Sequence, residues 1–231
     1  MNKQLLRIAF RDTLPVLTGY LFLGIGFGIL LSENGYGIGW AFATALFMYA
    51  GSAQYLTVSL LASHASLWST AFAILLVNAR HIFYGISLID TYKDTGKKKP
   101  YLIFSLTDET YSLVTQNQPP EGVSKVQYCF LVSALDHIYW ICGCVLGGAV
   151  GALLPIALEG VEFVLTAMFV TIFVEQWLSN KDHRPAIIGV MSTSICLLIF
   201  GKEVFLIPAM AVMALLLTLM KKTARRAKHE A

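Results

Sequence analysis

The chain is a succession of apolar stretches with no long polar segment between any two of them, and that pattern decides what it can fold into. The stretches are Leu14 to Leu31, Trp40 to Leu61, Leu67 to Ile89, a weaker Tyr101 to Thr115, Val126 to Leu154, Val161 to Leu178, Ala186 to Phe200 and Val204 to Met220. A helix needs about 20 mostly apolar residues to cross the hydrocarbon core of a bilayer, and most of these stretches approach that length. Of the 231 residues, 56% are hydrophobic and only 13% charged, against roughly 25% charged in a soluble domain. Backbone amides in hydrocarbon must be satisfied within their own segment, and no period-two alternation points to a barrel, so the stretches are helices. The expected fold class is an all-α integral membrane protein, a polytopic helix bundle. It comprises a single transmembrane domain over 14–220, a cytoplasmic N-terminus over 1–13 and a basic cytoplasmic tail over 221–231. The first stretch follows basic residues as a secretory signal would. It is longer than a signal core and lacks an A-x-A-like exit, so it is expected to be retained as a span.

The formal charge of +3 does not mark a nucleic-acid partner, because the basic residues sit between apolar runs and not on one face. Short cytoplasmic loops carry the excess of Lys and Arg. Lys3, Arg7 and Arg11, the Lys93 to Lys99 cluster, Lys125, Lys181, Arg184 and the tail are therefore placed on the cytoplasmic side of the cell membrane, leaving Lys202 outside and Arg80 in the bilayer. Three complete spans before Lys93 would put that cluster outside. One segment between Trp40 and Ile89 should then fail to cross. The stretch broken by Ala50-Gly51-Ser52-Ala53-Gln54 is the best candidate for a re-entrant hairpin or broken helix, and the Tyr101 to Thr115 segment needs the same treatment.

Gly24 and Gly28 on the first segment, and Gly143, Gly147 and Gly151 on the fifth, recur every four residues. Small residues at that spacing let helix backbones approach closely in lipid. Gly24-Ile25-Gly26-Phe27-Gly28 lies inside an apolar run with no strand before it, which excludes a dinucleotide loop. Cys129, Cys142, Cys144 and Cys196 lie in apolar stretches without metal-ligand spacing. No metal or cofactor is expected. The absence of H-E-x-x-H, G-x-S-x-G and a phosphate-cradling loop argues against an enzyme.

Arg80, in Val77-Asn78-Ala79-Arg80-His81-Ile82-Phe83-Tyr84-Gly85, is the most informative polar residue. An arginine at membrane depth costs at least about 2.5 kcal/mol on insertion scales and is usually paired or functional. Either it pairs structurally with Asp108, Glu109 or Asp136, or its guanidinium fork holds a substrate carboxylate. On a continuous helix Tyr84 lies one turn from Arg80, and Asn78 and His81 share a neighbouring face. Asp108 and Glu109 point about 100° apart on a helix, so one can face Arg80 and the other a cavity, unless both sit at a solvated loop edge. With His81 they are the candidate proton-coupling groups. Gly51, Ser52 and Gln54 can offer unwound backbone, hydroxyl and amide groups to a substrate, or merely satisfy a kink. Asp136 and His137 interrupt the fifth segment, where a structural role is the commoner case.

Several of these stretches, taken together, resemble the AzlC family, the large subunit of bacterial branched-chain amino-acid exporters, over nearly the full length. They are Ala9-Phe10-Arg11-Asp12 with Pro15 and Gly19, Gly24-Ile25-Gly26-Phe27-Gly28, Tyr49-Ala50-Gly51-Ser52-Ala53-Gln54, Asn78-Ala79-Arg80-His81 with Tyr84-Gly85, and Thr107-Asp108-Glu109-Thr110. Asp136-His137 departs from the pattern, where a neutral pair such as Asn-His is expected before Tyr139-Trp140. The resemblance implies export of leucine, isoleucine, valine or similar amino acids such as methionine, and a small hydrophobic AzlD-type membrane subunit as partner. The glycine-rich faces of the first and fifth segments add to the expectation of such a partner. A charge-bearing interior without ATP machinery fits secondary transport. The alternative is a channel-like or accessory subunit of a membrane complex.

Overall fold

A computed structural model describes residues 3–117, 119, 123–153, 170, 173–174, 177–178, 182–205, 208–209, 211–213 and 215–220. The chain divides into two compact units, Met1–Thr166 and Ala167–Ala231. Every element described is helical, and three helices are long and apolar enough to cross a membrane, or up to four if a bent pair counts as one span. The protein is a polytopic membrane helix bundle. The expected Val161 to Leu178 segment and the basic tail lie almost wholly outside the described residues.

In the first unit α1 (Lys3–Glu33) and α9 (Lys125–Leu153) form the spine. α1 is 31 residues long, about 46 Å at 1.5 Å per residue, so its basic first turns extend the helix well before the apolar run begins at Leu14. The two helices meet along their glycines. A Cβ added at Gly24 would stand 2.9 Å from Gly143 Cα, one at Gly143 would stand 2.7 Å from Tyr20 O, and one at Gly28 or Gly147 would overlap the opposing backbone. The glycine faces are therefore consumed by each other. This meets the expectation of close helix approach at that spacing, and it leaves these faces occupied within the chain.

The other segments of this unit are broken. Trp40 to Leu61 becomes α2 (Ile38–Phe47) and α3 (Gly51–Ala62). They are separated at Met48 to Ala50, where Tyr49 takes a φ of 40°. That backbone is strained for a bulky residue, and it is held by the Tyr49 ring lying over His137 with centroids 4.2 Å apart. The break expected beside Gly51 is present. Leu67 to Ile89, expected as one continuous helix, is instead α4 (Leu67–Asn78) and α5 (Arg80–Ser87), bent by 41°, followed by the four-residue α6 (Ile89–Tyr92). Tyr101 to Thr115 is likewise α7 (Lys99–Phe104) and α8 (Asp108–Gln116), interrupted at Ser105 to Thr107. Thr107 caps α8 by accepting from the Thr110 amide at 3.3 Å, which satisfies one of the four orphan donors of a helix start.

Two apolar cores sit on the spine. One gathers Tyr20, Phe27, Tyr55, Tyr139 and Trp140; the other gathers Leu5, Tyr92, Leu102, Val114 and Tyr128. In contrast, no described side chain of α4 is buried, and Leu67 and Trp68 are nearly fully exposed, as befits a lipid-facing surface. In the second unit α10 (Arg184–Val204) carries the third long span, Arg184–Gly201, and Gly201 breaks its helical backbone with a φ of 74°. The Val204 to Met220 segment is described only in part.

Candidate functional site

The breaks matter because they place three helix starts together. Arg80 opens α5, Asp108 opens α8, and Ser52 lies in the first turn of α3. One guanidinium nitrogen of Arg80, Nη2, donates to Ser52 Oγ at 2.9 Å and stands 3.0 Å from Asp108 Oδ2. One turn along α5, Tyr84 donates its hydroxyl to Asp108 Oδ1 and stacks on Tyr111 with centroids 4.6 Å apart. Each helix start carries partial positive charge, which Asp108 offsets. Of the carboxylates weighed as partners for Arg80, Asp108 forms an ion pair with it. Arg80 remains 29% exposed at its side chain, so the ion pair is not sealed.

Asn78 and His81, at the junction of α4 and α5, line a cavity of about 630 Å³ beside this cluster, within the range of roughly 300–1,000 Å³ usual for ligand pockets. Its floor is largely apolar, including Ile82, Ile86, Ile103 and Leu106, and Tyr49 and Ala50 bring the α2–α3 break to its wall. The His81 ring is oriented by Nδ1 against Asn78 O at 3.0 Å. A small amphipathic solute with an aliphatic tail suits this combination of apolar wall and adjacent fixed charge.

The remaining sequence candidates lie apart from the cavity. Gly51 lets α3 pack on Trp140, whose ring would stand 3.0 Å from a Cβ at that position. Gln54, 1% exposed, accepts from Trp140 Nε1 at 2.7 Å and donates to Thr44 Oγ1 at 3.3 Å. Glu109 turns away from Asp108, as the 100° spacing requires, and accepts from the Tyr20 hydroxyl at 2.8 Å. Glu109 thus faces Tyr20, whereas His81 and Asp108 both adjoin Tyr84, the His81 ring edge-on to it with centroids 5.8 Å apart. Asp136, fully buried, accepts from Thr110 Oγ1 at 2.8 Å, while His137 spans from Tyr101 OH to Ala45 O.

Sequence comparison places this architecture. The family profile described as AzlC protein matches residues 15–154. The Bacillus subtilis branched-chain amino acid transport protein AzlC is 38% identical over 222 residues, covering 96% of this chain and 87% of that protein. The chain belongs to the AzlC family. An uncharacterized membrane protein of Helicobacter pylori is 41% identical over 214 residues, 93% of this chain and 94% of its own, and the Escherichia coli inner membrane protein YgaZ is 24% identical over 180 residues, 77% and 74%. No solved structure matches the chain.

The profile match covers the Arg80–Asp108 cluster, the cavity and the α1–α9 glycine seam of this AzlC-family chain. Sequence reasoning did not find Tyr49 as a cavity wall or Tyr20 as the partner of Glu109. Tyr20 stands 89 positions from Glu109 in the chain, and no local pattern signals such a pair.

Proposed function

We propose that this protein exports branched-chain and similar apolar amino acids across the cytoplasmic membrane by secondary active transport, together with a small AzlD-type membrane subunit. The observation that carries the reading is Arg80, held at the start of a broken helix beside a largely apolar cavity and only partly covered by its carboxylate partner. The substrate carboxylate competes with Asp108 for the guanidinium, and the aliphatic side chain enters the apolar cavity. Asn78, Tyr84 and the Gly51-Ser52-Gln54 helix start position it. Asp108, Glu109 and His81 are the candidate proton-coupling groups. The Bacillus subtilis relative's name supports the substrate class, and the family membership supports the partner. The positions of the lysine clusters support cytoplasmic termini.

The test is efflux of radiolabelled leucine, isoleucine, valine and methionine from cells with this chain, the small subunit, both or neither. Saturable, gradient-dependent efflux is expected only with both. Robust transport by this chain alone would remove the partner from the proposal, and flux that neither saturates nor follows a gradient would support the channel-like reading.

A further inference from the structure

We propose that Glu109 and Asp136 hold one proton between them, on a line of hydroxyls formed by Tyr20, Thr107 and Thr110. The line is continuous: Glu109 Oε2 to Tyr20 OH is 2.8 Å, Tyr20 OH to Thr107 Oγ1 2.7 Å, Thr107 Oγ1 to Thr110 Oγ1 3.1 Å, and Thr110 Oγ1 to Asp136 Oδ2 2.8 Å. It joins α1, α8 and α9, and only its Thr107–Thr110 link is local in sequence.

Counting hydrogens gives the proton. The line contains four hydrogen bonds, and each requires one hydrogen, but three hydroxyls supply only three. If both carboxyls were ionised, Tyr20 would donate to Glu109 and Thr110 to Asp136. The single Thr107 hydrogen would then serve either Tyr20 or Thr110, and the other pair of oxygens would face each other with no hydrogen between them. One added proton completes the set. On Glu109 it orients every donor toward Asp136; on Asp136 it orients every donor toward Glu109. Moving from one state to the other shifts each hydrogen by one place, with no atom gained or lost. Thr107 Oγ1 also accepts from the Thr110 amide, and its two lone pairs accommodate that bond in both states.

The middle of the line and its Asp136 end are shielded from bulk water: Thr110 and Asp136 are 0% exposed, Tyr20 4% and Thr107 8%, while Glu109, partly exposed, is its accessible end. The second oxygen of Asp136, Oδ1, is buried with no hydrogen-bond partner among the described residues, a costly arrangement for a carboxylate that is always ionised. The other titratable groups facing the pair are Tyr49 at the α2–α3 break, Tyr84 on α5, Tyr101 on α7, Asp108 on α8 and Tyr139 on α9; His137 follows Asp136 directly in α9. Asp108 is engaged by Arg80, and His137 is engaged at both ring nitrogens. The shared proton is the one a gradient would load during transport, which rests on the function proposed above. Its existence does not.

The test is infrared difference spectroscopy of the full chain in lipid nanodiscs at neutral pH, reading the carboxylic-acid C=O band and its shift in D2O. An amide nitrogen supplies the fourth hydrogen permanently, so Glu109→Gln and Asp136→Asn should each remove one carboxylic-acid band, and the double variant should remove no more than either alone. A band that survives in one single variant and disappears only in the other, or a double variant that loses twice as much, would overturn the shared proton. Thr110→Val keeps both carboxyls and cuts the line. In that background Glu109→Gln should leave the band in place, and its loss would equally overturn the proposal. An intact shared band in a protein that shows no amino-acid efflux would instead sink the transport reading alone.

Discussion

The Arg80 guanidinium closes on Asp108 at 3.0 Å, tying the start of α5 to the start of α8. Both residues stand where a helix has just been interrupted, so the ion pair and the interruptions depend on each other. A continuous α4–α5 helix would carry Arg80 on a different heading. The pair therefore bears on assembly and, in the proposed function, on substrate recognition, and its variants separate the two.

Arg80→Lys should preserve the charge toward Asp108 and give a monodisperse protein, yet weaken amino-acid binding by about 10- to 100-fold, because a point ammonium cannot reproduce the planar fork. Arg80→Gln should assemble less well, by less than the roughly 3–5 kcal/mol that breaking a fully buried pair costs, because the pair is partly exposed. Asp108→Asn in the same protein should restore assembly without restoring binding. Calorimetric binding and detergent-solution chromatography on the same preparations decide; full binding in well-folded Arg80→Gln would end the carboxylate-clamp proposal.

Asp108→Asn alone removes the competitor for Arg80 and a candidate carrier of the coupled proton. Binding or exchange of amino acid should persist, while gradient-driven efflux is lost. Efflux with normal pH dependence in proteoliposomes would take Asp108 out of the mechanism.

The glycine seam gives opposite signs at two positions of one helix. Gly28→Ala places a methyl against the α9 backbone and should cost about 1–3 kcal/mol as the helices are forced apart. Gly19→Ala meets nothing within 4 Å and should be neutral or stabilising by up to about 1 kcal/mol through helix propensity. Thermal unfolding in detergent reads both, and equal effects would argue against the packed seam.

Gln54 and Trp140 form a closed polar pair in the core, with the indole donating at 2.7 Å. Gln54→Leu strands the indole donor and should destabilise by about 1–3 kcal/mol, whereas Gln54→Leu with Trp140→Phe should recover much of that loss. Additive destabilisation in the double-mutant cycle would show that the bond contributes nothing.

Single cysteines introduced at Lys97 and Asn34 test the orientation. The first should be shielded from an impermeant thiol reagent in intact cells and the second should label. External labelling at Lys97 would refute the cytoplasmic placement of the lysine cluster.

Apolar length and helical satisfaction of the backbone depend only on local sequence, which is why the membrane helix bundle, the 125–153 helix and its glycine face were legible without coordinates. The interruption next to Gly51 was legible for the same reason, a flexible residue beside polar ones. The interruption at Ala79 was not: from Leu67 to Tyr84 the chain has neither glycine nor proline. The bend coincides with bonds from Arg80 to Ser52 and Asp108, two residues distant in sequence. The spacing of Gly24 and Gly28 announced close packing, but the choice of α9 as the surface they meet came from the fold. Asp136 read as an interruption of an apolar helix, and only the docking of α8 brought Thr110 to it and Tyr20 to Glu109. Hydrophobic length is a property of each segment by itself. The partner of a buried charge is chosen only when separate segments meet, because its bonds must be made with whatever donors the packed helices deliver.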